Sequence, residues 1–148
     1  MAKKGSAKAR KTMARLIAVQ MLYRQSFEKI TPQKLLAEFK ANGPTLDEDQ
    51  DFVDPDLDLL NKILTGIGEH TGVVEEMLSA RVTPEQAAEP IIGSILRCGI
   101  FEIVYHPDIE AGIIISDYLT VGSSFFDGRE TALINGVLDQ ASKLVRAA

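Results

Sequence analysis

The chain has 148 residues, the usual size of one domain, with 45 % hydrophobic and 25 % charged residues; this excludes disordered and fibrous classes and leaves enough chain for one core without staples. A single cysteine, Cys98, excludes an intrachain disulfide and points to a reducing cytoplasm. The net charge of −5 argues against a polyanionic partner only as an average, because residues 1–27 hold seven Lys or Arg and no carboxylate, while the remainder holds nine cations and 21 Asp or Glu.

Residues 1–7 are expected to form a flexible basic tail and residues 8–148 a single all-helical domain. From about residue 8 to 27, Leu16, Val19, Gln20, Tyr23 and Phe27 recur at helical spacing, with Ile17, Met21 and Leu22 widening the apolar side. Lys8, Arg10, Lys11 and Arg15 occupy the first turns of this helix, and Lys11 and Arg15 are four apart on one face. The basic half therefore reads as an electrostatic handle, with a solvated tail that merely aids solubility as the alternative.

Thr31-Pro32 is a start signal for a second helix, an N-cap oxygen followed by a proline whose missing N–H costs nothing there. It should end near Asn42-Gly43-Pro44. Thr45 to Asp54, with Asp47, Glu48, Asp49, Asp51 and Asp54, reads as a solvated acidic loop. Asp54-Pro55 repeats the start signal for a helix burying Leu57, Leu60, Leu64 and Ile67. Gly72 breaks the pattern, Val73 to Ser79 resumes it, and Thr83-Pro84 opens a short helical piece.

Glu89-Pro90 opens the most apolar helix, where Ile91, Ile92, Ile95, Leu96, Gly99, Ile100 and Ile103 leave little polar face, so it should be central and end at His106-Pro107. Its best apolar run, Ile91 to Cys98, is broken by Gly93, Ser94 and Arg97 and falls short of the roughly 18 residues a bilayer span needs; no membrane partner is expected. Gly112 to Ile115 suits a strand or a buried helix, and the lack of a pairing partner favours helix to about Phe125. After the Phe126-Asp127-Gly128 turn, Leu133, Ile134, Val137, Leu138, Ala141, Leu144 and Val145 define a last helix. About seven helices result.

Little in the chain suggests catalysis. His70, His106 and Cys98 lack metal-ligand spacing, and no glycine-rich cofactor loop, phosphate loop or nucleophile elbow occurs. No metal, cofactor or catalytic residue is expected. Cys98 sits among Ile95, Leu96 and Ile100 as a small buried hydrophobe. Arg97 and Glu102, polar groups on the most apolar helix, read first as paired contacts between helices, since a buried charge must be paired, and second as partner contacts.

Three segments resemble the NusB family. Ala9 to Tyr23, ending Gln20-Met21-Leu22-Tyr23, is similar to its arginine-rich first helix. Ile95 to Ile103 resembles its Leu-Arg-x-x-x-aromatic-Glu-Leu stretch, and Leu133-Ile134-Asn135-Gly136-Val137-Leu138-Asp139 its Phe-Val-Asn-Gly-Val-Leu-Asp block. The departures are Thr12 and Met13 where relatives often carry Arg, Ser116-Asp117 for Asn-Glu, Leu133 for Phe, and a missing tryptophan before the central helix.

The resemblance implies two small packed helical bundles and binding of boxA-type single-stranded RNA together with a ribosomal protein, NusE, in antitermination complexes on RNA polymerase during ribosomal RNA synthesis. Single-stranded RNA is held by cations along its phosphates and planar side chains under its bases. Lys8, Arg10, Lys11 and Arg15 are candidates for the first role, Tyr23, Phe125 and Phe126 for the second, with Gln20 completing the set on the first helix. By resemblance the turn from Phe125 to Arg129 lies near that helix and joins Arg129, Leu133 and Asn135 to the same surface. The NusE surface is implied on the central helix, with Ile92, Arg97 and Glu102 as candidates. The rivals are a helical protein-interaction module, a homodimer for example, and the RNA-recognition module of an RNA methyltransferase whose catalytic chain would be separate.

Overall fold

The computed structural model describes residues 5–43 and 53–146. Most of the expected acidic loop and the first four residues of the expected tail lie outside the described residues. Among the described residues eight helices follow in order: α1 (Ala7–Gln25), α2 (Pro32–Asn42), α3 (Leu57–Glu69), α4 (Thr71–Ser79), α5 (Pro84–Ala88), α6 (Pro90–Tyr105), α7 (Ala111–Ser123) and α8 (Gly128–Val145). The fold is all-α, and the ambiguous Gly112–Ile115 run is helical within α7.

Local chemistry explains the starts. Ser6, Thr31, Asp56 and Glu89 each accept a hydrogen bond from a backbone N–H of the first turn of α1, α2, α3 and α6, satisfying donors that the helix cannot. Thr83 and Gln86 form a reciprocal capping box that sustains the five-residue α5. The break between α3 and α4 falls at His70, not at Gly72, which sits in the first turn of α4.

Helix α6 is the centre, packing against α1, α3, α4, α5, α7 and α8, while α1 also packs on α3 and α7. Glycines permit close approaches to it: a Cβ on Gly99 of α6 would stand 2.7 Å from the Leu138 side chain of α8, and one on Gly66 of α3 would strike the Phe101 ring of α6. The core is one continuous cluster, from Ala14 and Leu60 to Ile100, Ile114 and Leu138.

The phase of α1 matches the expected one in part: Val19, Ile17 and Met21 are buried as expected, while the rest of the stripe is not. Its buried residues are Ala14, Arg15, Ile17, Ala18, Val19 and Met21, whereas Leu16 and Tyr23 are half-buried, Gln20 is exposed and Phe27, beyond the helix end, is 65 % exposed. The helix is apolar on two sides, so periodicity could not choose between them. The alanines decided it, because Ala14 and Ala18 let α1 approach its neighbours closely and both are 0 % exposed.

Candidate nucleic-acid interface

Helix α1 carries its charges into two environments. Lys8 and Lys11, in its first turns, are exposed and have no carboxylate partner among the described residues. Arg10 is half-buried, donating from Nε to the carbonyl of Asp54 at 3.3 Å and from Nη2 to that of Pro55 at 3.5 Å. Its guanidinium thus ties α1 to the segment leading into α3.

Arg15 is the main correction to the sequence reading. Expected among the phosphate-tracking cations, it is 2 % exposed and held by two buried carboxylates. Its Nε and Nη2 donate to Glu102 of α6 at 2.7 and 3.0 Å, and its Nη1 donates to Asp117 of α7 at 2.7 Å. The shared face with Lys11 is real but passes from solvent into the core, because α6 and α7 meet α1 beyond Lys11, at Thr12 and Arg15.

Glu102, a candidate for partner contact, is 0 % exposed and fully committed inside. Besides Arg15 it accepts from the Tyr118 hydroxyl at 2.5 Å and pairs with Nδ1 of His106 at 3.0 Å. Burial by itself would raise its carboxyl, but the hydrogen bonds of His106 and Arg15 outweigh that and hold it below the usual carboxylate range. Burial and the adjoining Glu102 charge push the Tyr118 phenol well above its ordinary value. Every member of this cluster is hydrogen-bonded, as a buried polar network requires.

Of the other partner candidates, Ile92 is 8 % exposed and faces the core. Arg97 is 25 % exposed, donates from Nε to Glu75 of α4 at 2.5 Å and from Nη1 to the carbonyl of Ala87. The reading of Arg97 and Glu102 as ion-paired contacts between helices therefore describes their surroundings.

At the α7–α8 corner, Phe125, Arg129 and Asn135 are exposed, and Phe126 and Leu133 are half-buried. The Phe125 and Phe126 rings lie 6.4 Å apart, tilted by 53°. Tyr23 is half-buried and meets the exposed Phe27 edge-on at 5.0 Å. No hydrogen bond joins the corner to α1 among the described residues; α7 meets α1 at Asp117, where Thr12 donates from Oγ1 at 2.6 Å. Thr12, Asp117, Tyr118 and His106 escaped sequence reasoning. Glu102 on an apolar helix signalled that a cation must be near, but nothing in the linear pattern said which one.

The NusB family profile matches residues 12–143. The chain belongs to the NusB family. It is 33 % identical to the transcription antitermination protein NusB of Novosphingobium aromaticivorans over 95 % of this chain and 97 % of that one. With the NusB of Sphingopyxis alaskensis it shares 31 % identity over 92 % of this chain and 94 % of the other. A solved T. maritima NusB structure superposes with a TM-score of 0.68 over 97 % of this chain and 93 % of that one, at 18 % identity, which shows the fold. NusB proteins are transcription antitermination factors and not enzymes. Among the described residues no helix is long and apolar enough to cross a membrane, and no cluster of His, Cys, Asp and Glu could hold a metal ion.

Proposed function

We propose that the chain binds boxA-type single-stranded RNA jointly with the ribosomal protein NusE, and so supports processive ribosomal RNA transcription as part of an antitermination complex on RNA polymerase in the cytoplasm. The observation that carries this reading is the placement of Lys8 and Lys11, exposed at the tip of α1 on a chain whose net charge is −5. Cations with no carboxylate partner among the described residues are available to phosphates. Phe125, 38 % exposed at the end of α7, offers a ring to an unstacked base, and Arg129 beside it offers a further cation. With Arg15 internal and Arg10 engaged on backbone carbonyls, the charge supply is smaller than the sequence count, so the partner protein supplies part of the affinity. Of the candidates for that partner's contact, Arg97 alone is more than marginally exposed.

The test is a titration of labelled boxA-type RNA at several salt concentrations, with and without NusE. Three phosphate contacts from Lys8, Lys11 and Arg129 give a slope of log affinity against log salt of about −2. A flat salt response with RNA, or tight self-association in sedimentation with no RNA binding, would favour the protein-interaction reading instead.

A further inference from the structure

The first two turns of α1, which carry Lys8 and Lys11, contain no buried residue: burial begins at Ala14. Apart from the partly buried Met13, which packs against the core, what fixes these turns is polar. On one flank Arg10 grips the carbonyls of Asp54 and Pro55. On the other, the Asp117 carboxylate of α7 receives α1 twice, Arg15 Nη1 on Oδ2 at 2.7 Å and Thr12 Oγ1 on Oδ1 at 2.6 Å.

Thr12 and Arg15 are three residues apart and so lie one above the other on the helix surface. A carboxylate that binds both, one on each oxygen, resists sliding of α1 along α7 and rolling about its own axis. The Thr12 hydroxyl has one proton and two acceptors in reach, Asp117 at 2.6 Å and the Lys8 carbonyl at 3.1 Å. The shorter, charge-assisted bond prevails. Thr12 thereby points its proton out of its own helix and onto α7.

We infer that Thr12 and Asp117 are positioning residues for RNA binding: their hydrogen bond holds the cation-bearing turns of α1 in a fixed setting against α7. The inference rests on the RNA-binding reading above. A basic helix end that is preset loses less freedom on meeting RNA than one that must be ordered by it.

The experiment measures RNA affinity, salt slope and thermal stability of four proteins: wild type, Thr12→Val, Thr12→Ser, and a double variant with Lys8→Ala and Lys11→Ala. Thr12→Val keeps the side-chain shape and removes the donor; it should weaken binding about fivefold, the equivalent of one hydrogen bond of about 1 kcal/mol, with the salt slope unchanged because the cations remain. Thr12→Ser should restore affinity, and amide exchange at residues 8–12 should quicken in the Val variant alone. A Thr12→Val protein that melts earlier yet, where folded, binds RNA as tightly as wild type would overturn the positioning role and leave a structural one. If the double lysine variant binds like wild type, the tip of α1 makes no phosphate contact and the positioning role falls; absence of RNA binding by the wild type itself would instead mark failure of the RNA-binding reading.

Discussion

Lys11 and Arg15 stand one turn apart on the same helix with the same charge, yet they live in different chemistry. Lys11 is exposed at an open helix end. Arg15, 2 % exposed, closes a buried network with Glu102, Asp117, Tyr118 and His106. The difference arises from where α6 and α7 begin to cover α1. A cation in water is a handle for another polyanion, whereas a cation taken out of water must bring its own anions and becomes part of the architecture.

The largest expected effect tests the buried half. Arg15→Ala leaves two carboxylates in the core without their shared cation and should cost about 3–5 kcal/mol of folding stability, read as a lowered urea midpoint. A loss below about 1 kcal/mol would mean the carboxylates find water or protons, and that Arg15 is less structural than its burial indicates. The exposed counterpart is Phe125→Ala, which should leave stability nearly intact and weaken RNA binding by about 1–3 kcal/mol if a base stacks on that ring. Unchanged affinity would confine the interface to the cations.

The two halves of α1 were unequally legible in the sequence. Caps at Thr31, Thr83 and Glu89, the prolines after them and the continuous apolarity of α6 marked helix starts and the central position correctly, because these signals are local. The facing of α1 was not local. Of the expected stripe Val19 is buried, as are Ile17 and Met21 on its widened side, but Gln20 and Phe27 face solvent, and Ala14 and Ala18, absent from that stripe, lie at the closest packing. Small residues carry little hydrophobic signal and much packing consequence. Arg15 was misplaced for the same reason: which helix covers the third turn is a tertiary fact. The need for a partner to Glu102 was readable from burial alone, while the partners themselves, Arg15 of α1, Tyr118 of α7 and His106 just past α6, were not.

Acid should separate the halves next. Glu102 sits below its ordinary value of about 4.5 in the folded chain, so the unfolded chain binds protons more readily as pH falls through that region. The stability contributed by this carboxylate is present in full above about pH 4.5 and is lost as pH drops toward the folded value. Urea unfolding across this range should show that loss in the wild type, and Glu102→Gln should be less stable at neutral pH and flatter in acid. An acid slope identical in the two proteins would assign acid sensitivity to other carboxylates.

The smallest stability effect is expected where the sequence charge is highest. Lys8→Ala with Lys11→Ala removes two solvated side chains that touch no carboxylate among the described residues, so stability should stay within about 0.5 kcal/mol of wild type. The salt slope of RNA binding should shrink by about 1.4, two single-strand phosphate contacts. Arg15→Ala, the same kind of truncation one turn further on, should do the reverse, lowering stability severely while leaving the slope of the protein that remains folded unchanged. Equal slopes in wild type and the double lysine variant would show that the tip of α1 is solvated but idle, and would shift the search for phosphate contacts to Arg129 and the α7–α8 corner.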